Sequence, residues 1–159
     1  MSGNKDKKDR LGGNLAVNRR ATHDYFVLER HEAGIELVGT EVKVVRNGEA
    51  GLVGSYAEVK DGQLFAHAVR IPPYAFGNRF NHDSLRTRRL LMHKKEIRKL
   101  QTFQEQKGLT LIPLRLYLTA KGLVKVEIGV CRGKQQQDKR ETVKRRDADL
   151  EARRAMRQG

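Results

Sequence analysis

The stretch Val124–Cys131, VKVEIGVC, limits the possible folds of this chain more than any other. Val124, Val126, Ile128 and Val130 fall on one side, Lys125 and Glu127 on the other. β-Branched residues repeating every second position predict a strand with one buried face. Two residues later the apolar pattern stops, and Gly133-Lys134 opens a run of Gln, Asp, Lys and Arg that continues almost to the C-terminus. The chain therefore divides into a polar segment over 1–13, expected to be disordered, a folded body over 14–132 and a basic arm over 133–159.

The body reads as hairpins. Leu109–Leu118 precedes the anchor strand across Lys121-Gly122, with Ile112, Leu114, Leu116 and Leu118 expected to alternate inward. Ser55–Lys60 and Gln63–Ile71 flank Asp61-Gly62, a strong signal for a two-residue hairpin loop. Tyr25–Val38 is strand-like, and Gly34 within it suggests a bulge or tight bend. Leu15–Val17 predicts a short strand, followed by a basic corner at Asn18-Arg19-Arg20. Two helices are expected. One covers Thr40–Arg46, on the spacing of Val38, Val42 and Val45. The other carries the stripe Leu90, Ile97, Leu100 and Phe103 and stops before Gly108, with Arg86–Met92 open between its first turns and a strand. Strands in antiparallel hairpins, with helices that do not alternate with them, predict a mainly β fold. The expected architecture is a small closed OB-like barrel with two or three flanking helices.

Charge narrows the function. The net charge is +14, and the cations are clustered. Arg86–Lys99 holds seven of them against Glu96 alone, and both ends of the chain are basic. Such clusters point to a polyanion, with nucleic acid the first choice. No cluster comes with the strongly apolar face that an acidic membrane surface would need. The N-terminus has no apolar run like a signal peptide, and Cys131 is the single cysteine, so no internal disulfide can form. These features fit a reducing cytoplasm. The aromatic and basic loop Tyr74–Asp83 can stack on bases or simply pin itself to the body.

Catalytic and metal-binding patterns are missing. His23-Asp24, His31-Glu32 and His82-Asp83 are neighbours in sequence, but adjacent strand residues point to opposite faces. No HExxH, GxSxG, Walker or GxGxxG pattern occurs, so no catalytic residue, metal or cofactor is expected. In a protein this basic, Glu32 beside Ala33-Gly34 can reject phosphate, accept from a base edge or a 2′-hydroxyl, or form a salt bridge with Arg19 or Arg20.

The segments NRRATHDYF, HEAGIELVGTEVKVVRNG, SYAEVKDG, RTRRLLMHKKEI and IGVCRGKQQQDKR, in that order, closely resemble the SmpB family, the SsrA-binding proteins of bacterial ribosome rescue. The similarity covers about residues 14–146. It implies an OB-like barrel that binds the tRNA-like domain of tmRNA and delivers alanyl-tmRNA, with EF-Tu and GTP, to stalled ribosomes. It implies an RNA-binding surface at Asn18, Arg19, Arg20, Tyr25, Glu32, Gly34, Lys43, Arg46, Arg86, Arg88, Arg89, Lys94 and Lys95. It also implies a tail that enters the empty decoding centre and mRNA channel and is helical there, through Gly133, Lys134, Gln137, Asp138, Lys139, Arg140, Lys144, Arg145 and Arg146. Gln137 stands where many relatives have His, and Gln does not titrate. A monomer is expected. A ribosomal or assembly protein with an OB barrel shares the charge and fold and stays open as the alternative, as does an RNA-modifying or cleaving enzyme that would depend on one of the three histidine–acid pairs.

Overall fold

The computed structural model describes residues 13–76 and 81–134. Along the chain the elements are β1 (Asn14–Val17), α1 (Arg19–Asp24), β2 (Tyr25–Ile35), α2 (Gly39–Arg46), β3 (Tyr56–Lys60), β4 (Gln63–His67), β5 (Arg88–Leu91), α3 (Lys94–Glu105), β6 (Leu109–Leu118) and β7 (Val124–Gly133). Every strand pairing is antiparallel. The strand order is β1-β6-β3-β4-β5-β2-β7, and a further β6–β7 pairing closes the ring. This is the small antiparallel barrel that the hairpins predict. β7 occupies one edge of β6 along its length, so β1 and β3 share the other.

The core follows from the alternation. Val126, Ile128 and Val130 of β7 point inward with Leu64, Ile71, Leu90, Leu100, Leu111 and Leu116, all 1% exposed or less. Each such side chain stabilises the body by about 1.5–3 kcal/mol relative to exposure. The expectation of a single buried face fails at the end of β7. There Cys131, on the opposite face, packs with Ala21, Ile112 and Leu114 in a second small cluster. α1 covers this cluster, and burial pushes the Cys131 thiol up to about 11.

Two bulges make this possible. β6 shifts register against β7 between Pro113 and Arg115, and β2 shifts against β7 between Val27 and Glu29. One extra residue exchanges the faces of a strand. Accordingly Ile112 and Leu114 lie in the small cluster, while Leu116 and Leu118, at the same parity, lie in the main core. Val27 and Ala33 divide in the same way on β2. The four inward residues expected on β6 are thus two pairs facing opposite ways. Pro113 sits where the ladder is irregular, which is where a strand tolerates proline.

Several other expectations change. The basic corner after β1 is the helix α1. It shows no apolar period because it is six residues long and buries only Ala21. Asn18 caps it, its Oδ1 accepting from the Ala21 N–H at 3.1 Å. Of the two readings of Arg86–Met92 the strand holds, so Leu90 belongs to β5, and the α3 stripe keeps Ile97, Leu100 and partly buried Phe103. β4 ends at His67, and Ala68 then takes a positive φ of 59°. Asp61 and Gly62 both have positive φ, 54° and 75°, as a type I′ hairpin turn requires. β2 ends at Ile35 rather than Val38, and Gly34 is not at a bulge. Gly34 pairs with both Lys125 and Leu91, where β2 passes from β7 to β5, and a Cβ there would lie 3.3 Å from the Leu91 Cβ.

Candidate nucleic-acid interface

On the outer wall, β7 runs between β2 and β6, and the alternation turns polar side chains of all three outward. Glu32 stands opposite Glu127, and Tyr117 opposite Lys125. Glu127 accepts from Arg30 at 2.7 Å and from Arg115 at 3.1 Å. Burial raises the Glu127 carboxyl, but these two guanidinium groups outweigh it and hold the group below its usual range. Arg115 also donates to Asn14 Oδ1 at 2.8 Å and lies 4.2 Å over the Tyr117 ring. Tyr117 in turn donates its hydroxyl to Glu32, whose other oxygen lies 4.0 Å from Lys125 Nζ. Burial first, then this bond, pushes the Tyr117 hydroxyl far up, so it remains a donor at neutral pH. Glu32 is therefore an exposed acceptor, held by a tyrosine and set among cations. Its expected partners Arg19 and Arg20 are at the other end of β2. Arg20 instead approaches Asp24 at 3.6 Å.

The Arg86–Lys95 segment divides by burial. Arg88, expected at the RNA surface, is 0% exposed and donates to Glu41 at 2.7 Å and to the Val69 carbonyl at 2.7 Å. A buried guanidinium persists only with partners that satisfy it. Glu41 is also fully buried, accepts from Arg86 as well, and takes the Val38 N–H at 3.0 Å, so one carboxylate caps α2 and neutralises two arginines. Burial raises Glu41, but the bonds from Arg86, the Val38 N–H and Arg88 prevail and lower it. Arg88 is structural, and Arg86 is tied to the same acid. Arg89, Lys94 and Lys95 stay exposed. Asn18 is likewise interior, 3% exposed, with its amide donating to the Leu52 and Pro113 carbonyls.

The remaining predicted residues form two groups. Glu32, Gly34, Arg46, Arg89 and Lys94 line a run of neighbouring grooves that share Leu91, Met92 and Lys125. Arg19, Arg20, Tyr25, Gly133 and Lys134 gather around α1. Seven residues of β2 separate Tyr25 from Glu32, roughly 23 Å along a strand. Arg30, Lys125, Arg115 and Tyr117 were not singled out from the sequence. The outward alternation of Lys125 and Glu127 was visible there, but the partners across strands were not. Lys43 stands 5.0 Å over the Tyr74 ring, which also meets Phe76 edge-on at 5.5 Å. Reciprocal Tyr74–Asn81 bonds at 3.0 and 2.6 Å join the described ends of the loop, and Lys43 holds Tyr74 against α2. Arg79 and Phe80, and the tail residues Gln137, Asp138, Lys139, Arg140, Lys144, Arg145 and Arg146, lie outside the described residues.

The three histidine–acid neighbours do not converge on one site. His23 meets Asp24 at 2.8 Å at the end of α1, and His31 meets Glu29 at 3.0 Å rather than Glu32. His82 joins Thr40 to the Ile71 and Pro72 carbonyls. Among the described residues no group of three His, Cys, Asp or Glu side chains could hold a metal ion. No helix among them is long and apolar enough to cross a membrane.

At the root of the arm, Arg132 and Lys134 lie 5.4 and 5.0 Å from the Phe26 ring. The Lys134 N–H donates to the Asp24 carbonyl at 2.8 Å. The arm therefore leaves the barrel beside α1.

The family model described as SmpB protein matches residues 15–158. The SsrA-binding protein of Moorella thermoacetica is 54% identical over 141 residues, 89% of this chain and 91% of the relative. That of Geobacillus kaustophilus is 51% identical over 144 residues, 91% of this chain and 92% of the relative. A solved chain described as "tmRNA-SmpB: a journey to the center of the bacterial ribosome" is 48% identical with a TM-score of 0.66, over 80% of this chain and 92% of that chain.

Proposed function

The chain belongs to the SmpB family of SsrA-binding proteins, and from that premise we propose that it binds the tRNA-like domain of tmRNA and brings it to ribosomes stalled without a stop codon. It works as a monomeric cytoplasmic RNA-binding protein, not as an enzyme. EF-Tu with GTP joins it indirectly, through alanyl-tmRNA. Residues 14–132 hold the RNA, and 133–159 become helical in the decoding centre and mRNA channel.

The observation that carries this reading is the outer wall around Glu32. A non-specific polyanion surface has no use for a carboxylate at its centre. Here Tyr117 fixes that carboxylate and Lys125 lies 4.0 Å from it, while Arg30 and Arg115 stand on the neighbouring Glu127. Such an arrangement suits a folded RNA, whose phosphates meet the cations while one base-edge or 2′-hydroxyl donor meets Glu32. Arg89, Lys94 and Arg46 extend the basic surface past Leu91.

The test is a gel shift of the full chain against a tRNA-like hairpin and against single-stranded RNA of equal length. Preference for the hairpin, persisting as salt is raised, supports the proposal. Equal affinity for both overturns it and favours the alternative of a ribosomal or assembly protein.

A further inference from the structure

We propose that the groove between α1 and the start of β3 is a second RNA subsite, which takes one unpaired base on the ring of Tyr56. The inference rests on the RNA-binding reading above but uses different residues and a different end of the barrel.

Tyr56 is 47% exposed, a large ring standing on the outer face of β3. Its cross-strand neighbour His67 stacks behind it, with centroids 5.0 Å apart and an interplanar angle of 25°. His67 is itself held at both nitrogens, Nδ1 3.0 Å from Thr87 Oγ1 and Nε2 3.2 Å from Glu58 Oε2. The tyrosine ring is thus braced from one side. Tyr56 lines the groove together with Tyr25, Val53, Arg20, Asn18 and Ser55, whereas His67 does not. Tyr56 shares that groove with a second tyrosine and an exposed valine.

The chemistry of that slot fits a nucleobase. An aromatic ring whose orientation is already fixed loses little freedom when a base stacks on it. Arg20, its side chain 74% exposed and 3.6 Å from the less exposed Asp24, lines the same groove and can turn its outer face to the phosphate of that nucleotide. The polar groups of the floor are already engaged: the Asn18 amide with the Leu52 and Pro113 carbonyls, the Ser55 hydroxyl with Leu52 O at 2.6 Å. With the side chains of Asn18, Ser55 and Asp24 all bonded within the protein, the slot binds a base by stacking rather than by reading its edge.

The probe is a five-nucleotide RNA, four uridines around a central 2-aminopurine, titrated with the full chain. Saturable quenching is expected. Tyr56→Phe keeps the affinity within about twofold, and Tyr56→Ala weakens it by about ten- to a hundredfold. Tyr56→Ala leaves the slope of log affinity against log salt unchanged, because no phosphate contact is lost, whereas Arg20→Ala lowers that slope by about one. His67→Ala, which removes the brace together with its contacts to Thr87 and Glu58, falls between wild type and Tyr56→Ala. Unchanged thermal melting of each variant shows that the barrel is intact. Glu32→Gln is expected to weaken the tRNA-like hairpin and spare the pentamer. No quenching with wild type, or equal binding by Tyr56→Ala and wild type, overturns the subsite while leaving hairpin binding in place. Failure to bind either RNA overturns the RNA-binding reading itself.

Discussion

The Tyr117 hydroxyl donates to the Glu32 carboxylate across 85 residues of sequence. The two residues belong to strands that do not pair with each other here, and β7 lies between them. The bond crosses over that strand and ties β2 to β6 at the centre of the proposed interface. It also fixes which way the more exposed of two facing carboxylates, Glu32 and Glu127, points.

Glu32→Gln is expected to weaken binding of the tRNA-like hairpin about five- to tenfold, although net charge becomes more favourable. The charge-assisted bond from Tyr117, and whichever donor the RNA supplies, are both weakened. Tyr117→Phe is expected to have a smaller effect in the same direction, and the double variant should lose less than the sum. Parallel gains in hairpin and non-specific affinity, measured by filter binding, would reduce Glu32 to a repelling charge.

Arg88 and Arg89 should separate cleanly. Arg89→Ala is expected to flatten the salt dependence of RNA binding by about one phosphate contact and to leave the melting curve alone. Arg88→Ala does the reverse, since it removes the one fully buried guanidinium of the two that bond Glu41, at about 3–5 kcal/mol of stability. Chemical denaturation and salt titration of both variants check this.

Glu41 links the fold to pH. Its folded value lies below the ordinary 4.5, so its contribution is fully present above that pH and is lost as pH falls through the folded value. Glu41→Gln should therefore be much less stable than wild type at pH 7, with the gap closing on acidification below about pH 4.5. A gap that stays constant with pH would mean that charge at this position does not support the fold.

Gln104 closes the β3 edge without being in a strand. Its side-chain amide accepts from the Val59 N–H at 2.7 Å and donates to the Val59 carbonyl at 3.1 Å. Gln104→Ala is expected to cost about 1–3 kcal/mol, because both backbone groups lose their partner. Hydrogen exchange at Val59 should accelerate, with hairpin affinity unchanged.

The arm should be separable from the body. Deleting residues 135–159 is expected to leave hairpin binding nearly intact and to abolish peptidyl transfer to tmRNA on a stalled ribosome. Replacing Lys139 and Arg140 by Ala should do much of the same. Full tagging of stalled chains by the truncated protein, measured in a reconstituted translation assay, would give the arm no part in decoding-centre recognition.

Sequence alone determined the local and periodic features. The hairpin at Asp61-Gly62 needed only two residues that tolerate positive φ, and the alternation in Val124–Cys131 needed only a buried face. The motifs HEAGIELVGTEVKVVRNG and GKQQQDKR carried the family resemblance, because that order of residues is not a generic turn or charge pattern. Tertiary structure decided everything that depends on which strands meet. The bulges at Val27–Glu29 and Pro113–Arg115 appear only when β7 lies beside β2 and β6, and they send Ile112 and Leu116 to different cores. Arg88 and Arg89 are adjacent cations in the chain, yet strand alternation turns one onto Glu41, 47 positions away, and the other to solvent. Glu32 shows its role only once Tyr117 and Lys125 stand beside it. Charge and periodicity are properties of neighbours along the chain, whereas burial and hydrogen bonding depend on partners that only ring closure brings together.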